Sequence, residues 1–482
     1  MLEEIIAERK KKLDKLRSVG VDPYPVATPK TTQVSEVVSS FAKLAKLKKQ
    51  VSIAGRIVAF RDIGNIMFLR LRDMSGEMQV VVKKDSNKNF KLWKDSLDRG
   101  DFIFAKGLLF VTKTKEKSIE AKDIVMLSKS LRALPSDWFG VADEDARLRE
   151  RYVDLILNEE SRELFKKKNA FWRSIRDFMI AQDFMEVETG VLEAIPGGAE
   201  AEPFVTHHNA LDANFYLRIS LELPLKKLIV GGYERVFEIG RIFRNEGISR
   251  EHLQDYTQME FYWAYRDYRD LMRILPKMYR GAVKAITGGK IITTHQGRKI
   301  DWGKEWKTVD YCQVFKKENK LDPLSASLDE LKKRAQEVGA EPEKNDGRGR
   351  LIDLIYKKTV RPNLVQPCFL INPPVEIEPL AKRSPTDARV VERLQIVACG
   401  TELGKGFTEL NDPLDQRGRF EEQQRLRDSG DKEAQFMDED FLGALEYGMP
   451  PTAGFGMSER LFAVLLDKPI RECVFFPLMR NK

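Results

Sequence analysis

Three acidic side chains in strand-like segments, and a knot of arginines beside one of them, are the residues of this chain that could do chemistry. In FRNEGISREHLQDYTQMEFYWAY, from Phe243 to Tyr265, the second half alternates. Tyr256, Gln258, Glu260 and Tyr262 share one face, and Thr257, Met259, Phe261 and Trp263 share the other. One face is core; the other sets a carboxylate between tyrosines, where a merely solvated face would carry lysines. Between two strand-like runs stand Arg244, Glu246, Arg250 and His252. Guanidinium forks bind phosphate oxygens bidentately, so arginines at a hairpin mouth suit a polyanion such as a triphosphate. In YLRISLEL, Tyr216, Arg218, Ser220 and Glu222 alternate with apolar residues, which predicts a half-buried strand with Glu222 on its polar face. The third acid is Glu409 in TELGKGFTELND. Glu402 and Glu409 are an odd number of residues apart, so they face one site only if Gly404 and Gly406 bulge the strand. Glu222, Glu260 and Glu409 around one cavity would repel unless a cation joined them, either a metal or a ligand ammonium group. The plainer alternative is three unrelated surface glutamates. Near the C-terminal end, PTAGFGMSERLFAVLLD reads as a glycine-rich strand turning into a helix capped by Ser458. Arg460 would then leave the first helical turn beside free backbone N–H groups, and together these would hold a phosphate.

Such residues need a scaffold of more than one core, and 482 residues predict two or three domains. The opening MLEEIIAERKKKLDKL is an amphipathic helix with a basic face, either packed on a neighbour or touching nucleic acid. We assign 1–50 to this helix and a lead-in. From Val51 the apolar residues come in five short runs, which predicts a small barrel of the OB type over 51–130. A polar connection spans 131–150. Beyond it, closely spaced strands with few helices between them predict an antiparallel sheet flanked by helices over 151–482, an α+β domain. The stretch 304–372 is more helical and has the texture of an insertion.

Composition narrows the partners. The 82 basic and 74 acidic side chains leave a formal charge of +8, which permits a nucleic-acid partner without requiring one. No apolar run approaches the ~20 residues that span a bilayer, so a cytoplasmic protein without a membrane is expected. The four cysteines never form a CxxC pair, so neither a disulfide framework nor a zinc site is indicated.

Several of these stretches, in order, resemble one family. DFMEVET is similar to motif 1 of the class II aminoacyl-tRNA synthetases, FRNEGISREHLQDYTQMEFYWAY to motif 2, and GFGMSER to motif 3. LSKSLRALP with RERYVDLI, IPGGAEAEPFVTHHNALDANFYLRISLEL, GFTELNDPLDQRGRFEEQ and DEDFLGALEYGMPPTAGFG resemble the bacterial-type lysyl-tRNA synthetases in particular. The likeness covers nearly the whole chain. It implies that Arg244, Glu246, His252, Tyr256, Glu402 and Arg460 bind ATP, with Arg244, Glu246 and Arg460 catalytic and Glu402 a ligand of Mg²⁺. Gly198, Glu222, Glu260, Tyr262 and Glu409 would bind lysine. In the barrel, Arg61, Phe68 and Gln79 would read the anticodon of tRNA(Lys), Phe68 by stacking and the other two at base edges; ordinary barrel core is the alternative for Phe68. The resemblance further implies a homodimer and two steps: lysine and ATP give lysyl-adenylate and pyrophosphate, and the lysyl group then passes to tRNA. A site built to pair a polar group can reject ligands lacking it by roughly ten thousandfold.

Four departures stand against this pattern. Gly190 follows the Glu-Val-Glu-Thr run where motif 1 has a proline. Gln395 takes the place of a metal-binding glutamate, Lys405 that of an asparagine, and motif 3 is one residue short. Two other readings remain at this point: a synthetase-like enzyme that aminoacylates a protein, which would have no use for the barrel, and a non-catalytic RNA-binding relative, which would have no use for the arginines.

Overall fold

The computed structural model describes residues 2–135, 143–247, 252–343, 346–431 and 434–480. They form two compact units, Met1–Asp143 and Glu144–Lys482.

In the first unit the five apolar runs become the strands Gln50–Ile63, Ile66–Arg72, Glu77–Lys83, Phe102–Val111 and Lys117–Ser128. They close into a barrel in the order first, second, third, fifth, fourth, with only the third and fifth parallel. Alternation sends Met67, Leu69, Leu71, Met78, Val80 and Val82 inward to a common core. Phe68 therefore lies on the outer face of the barrel, half-buried, and is not part of that core. The helix Leu2–Ser18 puts Leu16 into the same core, and Arg9 donates to the carbonyls of Ser130, Arg132 and Arg99. The packed reading of this helix is the one the structure bears out.

The second unit is built on an eight-stranded sheet. Its spatial order is Lys307–Asp310, Cys368–Ile371, Arg393–Ala398, Thr401–Thr408, Thr452–Ser458, Asp255–Ala264, Arg235–Phe243 and Met185–Glu186. The six inner strands pair antiparallel, and only the outermost pair at each end is parallel. Of the motif 1 stretch only Met185–Glu186 is strand. The helices Glu159–Ala181 and Tyr268–Thr287 cover one face, packing Phe171, Ile175, Leu271 and Tyr279 against Met259, Phe261 and Phe455 of the strands. Each begins where a side chain satisfies free N–H groups: Asn158 accepts from Glu160, and Asp267 and Asp270 cap reciprocally. The ends of the stretch 304–372 belong to the sheet. Between them lie the helices Tyr311–Asn319, Leu328–Glu337 and Arg348–Thr359, with a core of their own around Phe315, Leu331 and Ile355. Among the described residues no helix is long and apolar enough to cross a membrane.

Candidate active site

With Met259 and Phe261 committed to the helical side, the opposite face of the sheet opens into a cavity of about 1240 Å³. Strand register draws a line across its floor. Gln395 stands opposite Lys405, Lys405 opposite Gly456, and Gly456 opposite Glu260. The alternation read from the sequence is borne out here, since Tyr256, Gln258, Glu260 and Tyr262 all line the cavity.

The strand expected to carry Glu222 does not extend that far. It ends at Leu217, and Glu222 opens the helix Glu222–Val230. The reason lies in Arg218, which turns inward to donate to Glu238 at 2.7 Å and to the Arg241 carbonyl at 2.8 Å. Ser220 then accepts from the Glu222 N–H at 3.2 Å, and the chain winds into a helix. One turn on, Lys226 is fully buried; its Nζ lies 2.6 Å from Glu222 Oε1 and is also paired with Glu409 Oε2. The cation that joins two of the three acids is thus a lysine of the chain itself, which the sequence reading missed. The signal was present in ELPLK, an acid and a lysine four apart, and is visible only once the segment is known to be helical.

The acids differ in how they are held. Glu260 accepts from Ser220 Oγ at 2.8 Å, from the Leu221 N–H at 3.1 Å, from Gln258 and from Tyr262. Glu409 is 1% exposed and, beyond its ion pair with Lys226, its Oε1 has no partner. Burial pushes the Glu222 carboxyl up to about 7 in spite of Lys226, and burial raises Glu409 well above the carboxylate range. Two glycines make room for this cluster. Gly198 has φ +83°, and a Cβ there would sit 2.8 Å from the Glu222 Cβ; a Cβ on Gly454 would collide with the Glu409 carboxylate and the Tyr262 ring.

The strand Thr401–Thr408 carries a bulge, one residue before Gly404. Glu402 pairs with Val397 and Gly404 with Ile396, so Leu403 is the extra residue. This change of phase lets Glu402 and Lys405 both line the cavity, and Leu403, which also borders it, packs into the core. Glu402 accepts from the Gln395 amide on one oxygen, and among the described residues its other oxygen carries no hydrogen bond. Burial acts to raise its carboxyl, but Lys405, Arg393 and Arg460 outweigh it and hold the group below its ordinary value. Among the described residues no three His, Cys, Asp or Glu side chains are grouped to hold a metal. A single carboxylate with an open oxygen fits one Mg²⁺ shared with substrate phosphates.

Arg244, Glu246, His252 and Arg460 line the same cavity. Arg244 donates from Nε to the Ile219 carbonyl at 3.2 Å, and its guanidinium lies 5.7 Å from the centre of the Tyr256 ring. Arg250 lies outside the described residues. Ser458 accepts from the Arg460 N–H at 3.3 Å, but Glu459 is the boundary residue and the helix Arg460–Leu465 has only six residues. Its free N–H groups therefore make no phosphate site; the Arg460 guanidinium, with its Nε buried and unpartnered, is the group that can meet an anion. The short motif 3 is anchored by Glu459, fully buried, which accepts from Lys168 and from the Thr257 N–H at 3.2 Å. Nothing in the structure requires glycine at position 190.

On the barrel, Arg61 pairs directly with Phe68, and Gln79 pairs with Arg70, two residues along the same outer face. The Gln79 amide donates to Ser118 Oγ at 2.9 Å.

Comparison with known proteins agrees with this geometry. Residues 143–480 match a family model described as tRNA synthetases class II (D, K and N), and residues 51–127 match the OB-fold nucleic acid binding domain. A lysine–tRNA ligase of Roseiflexus castenholzii is 42% identical over 487 residues, covering 100% of this chain and 99% of its own length. Ligases of the same name from Fervidobacterium nodosum and Thermotoga maritima are each 41% identical, over 100% of this chain and 95% and 97% of theirs. A fold, a cavity and a full-length likeness that agree leave one assignment: the chain belongs to the class II tRNA synthetases, among the lysine–tRNA ligases.

Proposed function

We propose that this chain activates lysine with ATP and esterifies tRNA(Lys), and that the buried acids take the two ammonium groups of lysine. The observation that carries the reading is the charge at one end of the cavity, which Glu222 and Glu260 line and which Glu409 adjoins at Gly454. Glu222, Glu260 and Glu409 against the single ammonium of Lys226 leave two negative charges once all three acids are ionised, as many as lysine has ammonium groups. The unpartnered Oε1 of Glu409, with Glu260 and Tyr262, suits the side-chain ammonium; Glu222, under the Gly198 backbone, suits the α-amino group.

In the first step a carboxylate oxygen of lysine attacks the α-phosphorus of ATP. The bond from that phosphorus to the bridging oxygen breaks, and pyrophosphate leaves with the electron pair. Arg244 would hold the lysine carboxylate against the α-phosphate and Arg460 the γ-phosphate, aligning the reacting atoms and stabilising the charge that develops. Tyr256 would stack on adenine, with Glu246 near its edge and His252 near the outer phosphates. Mg²⁺ bound with ATP would be held by Glu402 and supplies Lewis-acid neutralisation of the phosphate oxygens. No enzyme nucleophile is needed. In the second step a hydroxyl of the terminal tRNA ribose attacks the lysyl carbonyl and AMP leaves.

Arg61, Phe68 and Gln79, together on the outer face of the barrel, would meet unstacked anticodon bases. That shared face, and the unpartnered arginine of the cavity, favour a tRNA-charging enzyme over a protein-modifying or non-catalytic relative. We propose a homodimer, because the segment around motif 1 exposes Ile180, Met185, Leu192 and Val205. A cytoplasmic location is proposed from the four unpaired cysteines.

Glu409→Gln tests the pocket directly. It is expected to weaken the lysine dependence of adenylate formation about tenfold to a hundredfold while sparing ATP binding; an unchanged lysine dependence removes Glu409 from the pocket. Because burial pushes the Glu222 carboxyl up to about 7 and raises Glu409 as well, lysine binding measured without ATP should weaken as pH falls below about 7, by about tenfold per unit or more, as the carboxyls take up protons that the ligand must displace. Both ammonium groups of lysine stay charged there, so a flat profile from pH 8 to 6 contradicts the assignment of Glu222. Phe68→Ala should lower kcat/KM for tRNA charging about tenfold to a hundredfold and leave pyrophosphate exchange unchanged; equal loss in both assays contradicts an anticodon contact.

A further inference from the structure

Two of the departures from the family pattern face each other on the cavity floor. Gln395 and Lys405 are directly paired across neighbouring strands, and both line the nucleotide end of the cavity. Both ends of the Gln395 amide are used: Nε2 donates to Glu402, and Oε1 accepts from the Tyr356 hydroxyl at 3.3 Å. Two carboxylates at 395 and 402 would repel one another and call for an ion between them; an amide that donates to the carboxylate does not.

The charge removed from one position reappears as opposite charge at the other. Against the glutamate and asparagine that the resemblance leads one to expect, glutamine at 395 removes one negative charge and lysine at 405 adds one positive. The sum is the charge of one divalent ion. Lys405 is placed to use it. Its side chain is 40% exposed, and its Nζ lies 2.9 Å from Glu378 Oε2, an acid it shares with Arg393 Nε at 3.6 Å. Lys405 and Arg393 thus share Glu378, and with Arg460 they act on Glu402. Glu200, also on the cavity wall, is exposed, so solvent screens its charge from these cations.

We propose that Lys405 is a fixed cation of the nucleotide site, a substrate-contacting residue that stands in for a second protein-held Mg²⁺. The adenylation site then works with the one ion that Glu402 can share with ATP. This rests on the cavity being an ATP site. A lysine ammonium is a strong phosphate partner as a point charge, and one tethered to a strand is in place before the nucleotide arrives.

The test counts ions and measures nucleotide affinity without relying on turnover. The full-length protein is titrated with MnCl2 in the presence of lysine and α,β-methylene-ATP, and bound Mn²⁺ is counted by electron paramagnetic resonance. The wild type is expected to hold one Mn²⁺ per site, and the double variant Gln395→Glu, Lys405→Asn to take up at least one more. Lys405→Met, at fixed MgCl2, should weaken binding of the analogue about tenfold to a hundredfold. Two or more ions per site in the wild type, or unchanged affinity in Lys405→Met, would overturn the proposal while leaving the ATP site standing. Failure of the wild type to bind the analogue at all would overturn both.

Discussion

The ammonium of Lys226, fully buried between the carboxylates of Glu222 and Glu409, is the contact on which the rest of the site depends. Charges taken out of water are tolerable only when paired, and removing one partner of a buried pair costs about 3–5 kcal/mol. That constraint reaches outward. It requires Glu222 and Lys226 to stand one helical turn apart, and so requires the chain to leave its strand at Leu217 and wind up at Glu222. The ammonium is further enclosed by the rings of Phe407 and Phe441, 5.4 and 5.8 Å away. Bare backbone at Gly198 and Gly454 closes over the same cluster.

Charge compensation also organises the other end of the cavity, with the opposite sign. At the proposed lysine end Glu222, Glu260 and Glu409 outnumber Lys226, and burial raises the cost of keeping them ionised until a ligand arrives with ammonium groups. At the proposed nucleotide end desolvation acts to raise the Glu402 carboxyl, and Lys405, Arg393 and Arg460 hold it below its ordinary value. One sheet carries both fields because its strands cross the cavity in register, from Gln395 and Lys405 to Glu260. Gly456 stands between them in the row, leaving backbone where substrate carboxylate and α-phosphate would meet.

Much of this was legible in the sequence, because period-two alternation survives wherever one face of a strand is core. The five barrel strands and the strands Arg235–Phe243 and Asp255–Ala264 follow directly from it. The parity of Glu402 and Glu409 raised a bulge at Gly404 and Gly406 only as a condition, and the extra residue proves to be Leu403. YLRISLEL misled for a physical reason. Arg218 and Ser220 repeat at period two because each makes a buried polar contact, with Glu238 and Glu260, and not because they share a solvated face. Lys226 was invisible for the same cause, since its spacing from Glu222 has meaning only on a helix. Ser458 has the residue type of a helix cap, but Glu459 is the boundary residue and the six-residue helix is too short to serve as a phosphate site.

Selection of lysine by the acidic pocket is the property on which the proposed activity depends. Pyrophosphate exchange into ATP, measured without tRNA and with each amino acid in turn, tests this most directly. Exchange that saturates with lysine and is absent with arginine, glutamine and methionine is the predicted result. Exchange driven by another amino acid, or by none, would contradict a pocket whose two uncompensated charges are there to meet two ammonium groups.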